Sequence, residues 1–161
     1  MLNKLSLHPQ SNTNTKHILN EKEHSKMEII KGVYRGELRT ELTHLKSGIS
    51  INTDAPTDNQ GKGEAFSPSD LLSGSLGACM LTIMGIVARR NNIAIEGTKI
   101  KVSKIMAESP RRVSEVHVEF DMPPGNFNEK ERDLLRNAAL TCPVAKSLHP
   151  DIVQKVIFNY Q

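Results

Sequence analysis

Along this chain the spacing between apolar positions changes repeatedly, and each change marks an element. From Met27 to Thr53 (MEIIKGVYRGELRTELTHLKSGISINT) the chain is rich in strand-forming residues. It reads as a longer strand run ending near Leu45, a turn at Lys46-Ser47-Gly48, and a shorter strand over Ile49 to Thr53. Asp54 to Phe66 (DAPTDNQGKGEAF) concentrates Asp, Asn, Gly and Pro and predicts a loop. Its Gly-Lys-Gly lacks the spacing of a phosphate-binding loop and follows no apolar strand running straight into a helix.

Ser67-Pro68-Ser69-Asp70 predicts a helix start. The Ser67 hydroxyl can cap free N–H groups, Pro68 suits the first helical position, and Asp70 falls in the positive first turn. Between Asp70 and Arg89 lie 18 uncharged residues, LLSGSLGACMLTIMGIVA, a length that raises the possibility of a membrane span. Three glycines, two serines and a threonine weaken its hydrophobicity. With apolar residues on all its faces, it reads as a central helix buried in a soluble core. Gly74, Ala78 and Gly85, with Thr82 between, form a stripe of small side chains that predicts either tight packing on a sheet or a helix pair across a dimer axis.

After Arg89-Arg90-Asn91-Asn92 the period becomes two. Thr98, Ile100 and Val102 alternate with polar residues, as do Val116, Val118 and Phe120, which predicts two strands turning at Ser109-Pro110. Met122-Pro123-Pro124-Gly125 ends the sheet, and Asn128 to Leu140 reads as an amphipathic helix. Thr141-Cys142-Pro143 opens a short helix ending at His149-Pro150, and Ile152 to Tyr160 closes the chain as a strand. The predicted order, β-β-α-β-β-α-α-β, is an α+β fold with one dominant helix.

Residues 1–26 are rich in Asn, Ser, Thr, Lys and His with no sustained apolar period, and read as a polar tail. They supply neither the apolar core of a secretory signal nor the arginines of a transit peptide. Residues 27–161 then form one domain, the size expected of a chain of 161 residues and 17.9 kDa. A net charge of +3, no basic block and 4% aromatics argue against a nucleic-acid partner. Two cysteines are too few for a secreted disulfide scaffold, which points to a reducing, cytoplasmic setting and to thiols that could react.

Cys79 lies mid-helix, where a free cysteine is by default an inert small hydrophobe. Ser75 one turn before and Thr82 one turn after are polar neighbours that an apolar core would not need. Cys142 falls at a helix N-cap, where N–H groups would stabilise a thiolate, so local physics makes it the lower-pKa thiol and leaves the two roles open. Cys142 and His149 are the only cysteine and histidine close together in the chain, and zinc sites favour paired short spacings, so no metal site is expected, and no cofactor.

The segments S-P-S-D-L-L-S-G-S-L-G-A-C-M (Ser67 to Met80) and L-T-C-P-V (Leu140 to Val144) resemble the two signature segments of the OsmC/Ohr family of thiol-dependent hydroperoxide reductases. The resemblance runs from about Met27 to the C-terminus. It implies antiparallel sheets around a long central helix, an intertwined homodimer with active sites at the subunit boundary, a hydroperoxide substrate and an external dithiol reductant. By position Cys79 resembles the thiol that attacks the peroxide and Cys142 the thiol that resolves the sulfenic acid. The family's peroxidase branch carries a Glu after its Asn-Pro pair, where this chain has Ser69, with Asp70 one residue on and turned about 100° around the helix. It also holds an Arg from the first hairpin against the thiolate. The turn His44-Leu45-Lys46-Ser47-Gly48 has none, so Arg39 on the preceding strand is the candidate, with His44 and Lys46 as rivals. An alternative implied by these departures is a non-catalytic dimer that binds a small ligand or a partner. Leu72, Leu76, Met80 and Ile83 around Cys79 suggest a pocket suited to an alkyl hydroperoxide.

Overall fold

A computed structural model describes residues 27–161; the polar tail expected over residues 1–26 lies outside the described residues. Three strands, β1 (Ile30–Gly36), β2 (Arg39–His44) and β3 (Ser50–Asp54), form an antiparallel sheet in the order β1-β2-β3. The longer run expected before Leu45 is therefore two strands. Its turn runs through Gly36, Glu37 and Leu38, all at positive φ (88°, 48° and 61°). For Glu37 and Leu38, which carry a Cβ, the left-handed region costs about 1–2 kcal/mol each. The surroundings hold it: the Leu38 N–H donates to the Tyr34 hydroxyl at 3.2 Å, and the Ala55 N–H donates to the Leu38 carbonyl at 3.1 Å. The turn expected at Lys46-Ser47-Gly48 joins β2 to β3, with Gly48 at φ 72°.

Helix α1 (Pro68–Arg90) opens as the sequence predicts. The Ser67 hydroxyl accepts from the Asp70 N–H at 3.1 Å, and the Asp70 carboxylate accepts from the Ser67 N–H at 2.7 Å. Strands β4 (Lys99–Glu108) and β5 (Arg111–Asp121) pair antiparallel across Ser109-Pro110. Strand β6 (Val153–Asn159) pairs with β5 in parallel, so this second sheet is mixed. A parallel neighbour needs a crossover, which α2 (Glu129–Leu140) and α3 (Pro143–Ser147) supply.

One face of α1 closes the core. Leu76, Met80, Met84 and Ala88 are fully buried, together with Val116, Val118 and Phe120 of β5 and Leu135, Ala139 and Cys142 from the crossover. Gly77 makes the close approach, because a Cβ there would lie 2.8 Å from Val102 Cγ2. Gly74 and Gly85 face open space. The small-residue stripe is thus not packed on the sheet, and the helix is not buried all round: Leu72, Ser75, Ala78 and Thr82 are exposed. By length and composition α1 could cross a membrane, yet its apolar side chains pack on a sheet, as those of a core helix do.

Candidate functional site

The two cysteines, 63 positions apart in the chain, come together beside the core. Cys79 is half-buried on the flank of α1; Cys142 is fully buried at the junction of α2 and α3, and both are free thiols. The Ala145 N–H donates to Cys142 Sγ at 3.4 Å, the cap geometry expected from Thr-Cys-Pro. The acidity expected from that cap does not follow. Burial pushes the Cys142 thiol above its ordinary pKa, Cys79 standing close by adds to the rise, and the N–H groups of Ala145 and Val144 offset only part of it. A short helix contributes too few aligned peptides to overcome desolvation.

The polar neighbours of Cys79 look after themselves. Ser75 donates to the Leu72 carbonyl at 2.7 Å and Thr82 to the Ala78 carbonyl at 2.8 Å, both on the exposed flank of α1. The expected alkyl pocket is only partly present, since Leu76 and Met80 point into the core and are 0% exposed. A depression of about 660 Å³, open to solvent and not lined by Cys79, begins one turn beyond it at Thr82; Arg89, Asn92 and Glu96 line it together with Ile86, Ile93 and Ile95.

Arg39 follows the β1–β2 turn directly and is the first residue of β2. Its guanidinium grips Asp54, its cross-strand partner, through Nε at 2.7 Å and Nη2 at 2.8 Å, and Nη2 also reaches Glu64 at 2.8 Å. These carboxylates raise the Arg39 pKa, while Arg39 holds the Asp54 carboxyl below its ordinary value. His44, by contrast, is exposed at the end of β2 with Nδ1 2.7 Å from the Ser47 hydroxyl, and Lys46 is exposed in the turn that follows.

Where the sequence has Ser69 and Asp70, the structure brings in a residue the sequence reading missed. Lys104 of β4 reaches Asp70 Oδ1 at 2.8 Å, Ser69 Oγ at 2.5 Å and Ser67 Oγ at 2.9 Å. Burial tends to raise the Asp70 pKa, but Lys104 and the Ser67 cap together carry it below its ordinary value. Only the alternation of β4, which turns Lys104 to the same face as Val102 and Ile100, could have pointed to it.

Residues 61–156 match the family of OsmC-like proteins. A solved structure from Psychrobacter arcticus 273-4, a protein assigned by inference to osmotic-stress induction and a detoxification response, is 56% identical; it covers 83% of this chain and 96% of its own, with a TM-score of 0.80. This chain belongs to the OsmC-like family. The fold recurs at low identity in the OsmC organic hydroperoxide resistance protein of Legionella pneumophila (15% identical, 83% of this chain and 98% of that one, TM-score 0.67). It recurs also in an OsmC-like protein of Mycoplasma pneumoniae (17%, 84% and 98%, TM-score 0.70). No curated protein sequence matches the chain. Within this OsmC-like frame Cys79 stands on α1, Cys142 caps α3, and Arg39 opens β2 on the outlying sheet.

Proposed function

We propose that the protein is a thiol peroxidase that reduces organic hydroperoxides to alcohols in oxidative-stress defence. The observation that carries this reading is the meeting of two free thiols from opposite signature segments, Cys79 on α1 and Cys142 at the crossover. The Cys79 thiolate attacks a peroxide oxygen, the O–O bond breaks, and the departing alkoxide takes a proton to leave as the alcohol. Cys79 is then a sulfenic acid. Cys142 sulfur attacks it, a disulfide forms and water leaves with the thiol proton. An external dithiol restores both thiols by exchange, becoming a disulfide itself. Cys142, buried and raised in pKa, suits the second step better than the first, because it stays protonated until a sulfenic acid stands beside it. The depression running from Thr82 past Ile86 gives an alkyl group apolar surface to bury.

The working unit in this reading is a cytoplasmic homodimer. Its support is the uncovered flank of α1 and the apolar residues on both faces of the first sheet, Ile30 and Ile51 on one and Val33 on the other, 59%, 43% and 43% exposed. Twofold pairing is the commonest way soluble chains cover such surface. Treatment with cumene hydroperoxide should convert both thiols to an intramolecular Cys79–Cys142 disulfide, read by mass as the loss of two hydrogens. Two free thiols after many equivalents would end the peroxidase reading and leave a binding dimer.

A further inference from the structure

The two sulfurs of the candidate site differ in what can reach them. Cys142 is 0% exposed and belongs to the same core cluster as Leu76, Met80, Leu135 and Ala139. Cys79 lies on the border of α1, between the buried Leu76, Met80 and Met84 and the exposed Ser75, Ala78 and Thr82, and is itself half-buried. Forming the disulfide requires only Cys79 to meet a molecule from solvent. Opening it again offers an external thiolate two sulfurs, and each choice frees a different cysteine.

Thiol–disulfide exchange passes through three sulfurs in line, the attacking, the central and the leaving one, and ends in a mixed disulfide on the central sulfur. With Cys142 at the centre, the attacker would have to arrive on the side of Cys142 turned away from Cys79, and no side of that sulfur is open. With Cys79 at the centre, the half-buried sulfur receives and the buried one leaves. Its departure is already provided for: the Ala145 N–H donates to Cys142 Sγ at 3.4 Å, and that donor stabilises the sulfur as negative charge arrives on it.

We propose that Cys79 is the sulfur that receives the reductant and that Cys142 is the leaving thiol in every reduction. This rests on the peroxidase reading and fixes the order of its last stage. The external thiolate bonds to Cys79 Sγ, the Cys79–Cys142 bond breaks, and Cys142 leaves as a thiolate and takes up a proton. From a dithiol, the second sulfur then attacks the first, the oxidised reductant closes its own disulfide, and Cys79 leaves as a thiolate. Two electrons have passed from dithiol to protein. A monothiol has no second sulfur, so Cys142, still beside Cys79, re-attacks Cys79 and expels it. Attack on the peroxide and attack by the reductant thus use the same sulfur.

The disulfide is made for the test in the full chain with diamide rather than a hydroperoxide, so that the result does not depend on peroxidase activity. Cysteamine is added, the reaction is stopped early in acid, and the adduct is located by peptide mass. It should sit on Cys79, with Cys142 a free thiol. A second measurement decides even where the adduct is too short-lived to collect. Cys142→Ser and Cys79→Ser each keep one thiol, and both are mixed with the aromatic disulfide dithiobis(nitrobenzoate). The lone Cys79 should react about tenfold faster or more, because a fully buried thiol waits for local opening. An adduct on Cys142, equal reactivity of the two lone thiols, or failure of diamide to join them would overturn the proposal. If a hydroperoxide leaves both thiols free while the diamide-made bond opens at Cys79, the peroxidase reading falls and the assignment of the receiving sulfur stands.

Discussion

The β4-β5-β6 sheet buries Val116, Val118 and Phe120 completely beneath α1, whereas the β1-β2-β3 sheet leaves Ile30, Tyr34 and Ile51 largely open to water. Both sheets have apolar residues at strand positions. What differs is that α1 and the crossover cover the second sheet, and among the described residues no element packs substantially on the first. Apolar residues on a strand therefore say that the strand is to be covered, and say nothing of whose atoms cover it. The polar end of the first sheet needs no such cover, because Arg39, Asp54 and Glu64 pair with one another there.

The contrast breaks most visibly at the uncovered flank of α1. Ala78→Arg adds a long charge to a residue exposed in the single chain, so a monomer would tolerate it, while a helix pair would lose several kcal/mol to two facing charges. Light scattering should fall from about twice 17.9 kDa to 17.9 kDa, and hydroperoxide consumption with it. A variant that keeps the wild-type mass would show that this flank is not the contact.

Core and outlying sheet should also respond differently to truncation. Phe120→Ala, at a residue 0% exposed, should cost about 3–5 kcal/mol at any protein concentration. Ile51→Ala in a lone chain should cost no more than about 0.5 kcal/mol. With a partner over the first sheet, its cost in thermal melts should be larger at high concentration and should shrink toward that value on dilution.

Acid should separate the self-satisfied end of the first sheet from the rest of that sheet. Arg39 holds the Asp54 carboxyl below its ordinary value, so between that lowered value and an unfolded pKa of about 3.9 the unfolded chain binds more protons. The contribution is complete above the unfolded pKa and is lost as pH falls through the folded one. In acid titrations of stability Asp54→Asn should flatten the slope in that window, and an unchanged slope would mean that the pair contributes nothing to folding. The smallest effect expected is on substrate choice: cumene hydroperoxide should oxidise Cys79 faster than hydrogen peroxide, by the apolar area its ring buries near Ile86. Equal rates would leave that depression without a role.

Local chemistry made much of this legible in the sequence. Ser67, Pro68 and Asp70 announce the start of α1, α2 runs where a helix over Asn128 to Leu140 is expected, Cys142 caps α3, and the period of two marks β4 and β5, because caps and alternation involve residues a few positions apart. The β1–β2 turn was invisible because it runs through Glu37 and Leu38, residues that no turn preference marks for positive φ. Missing it hid the fact that Arg39 leaves a hairpin. Arg39–Asp54 and Lys104–Asp70 are set by strand register and by packing over 15 and 34 positions, distances at which a single sequence carries no pairing signal. The raised Cys142 pKa escaped for a similar reason: the cap is local, the burial that outweighs it comes from the whole core.

The crossover that makes β6 parallel to β5 also makes Cys142 a latch on chain topology. A bond from Cys142 to Cys79 would close a covalent ring of about sixty residues containing β4, β5 and α2, and ring closure of that length removes about 4 kcal/mol of unfolded-chain entropy. Oxidation would then do more than record a turnover: it would leave the spent protein harder to unfold than the ready one, so the reductant must open the bond in a molecule already at its most stable.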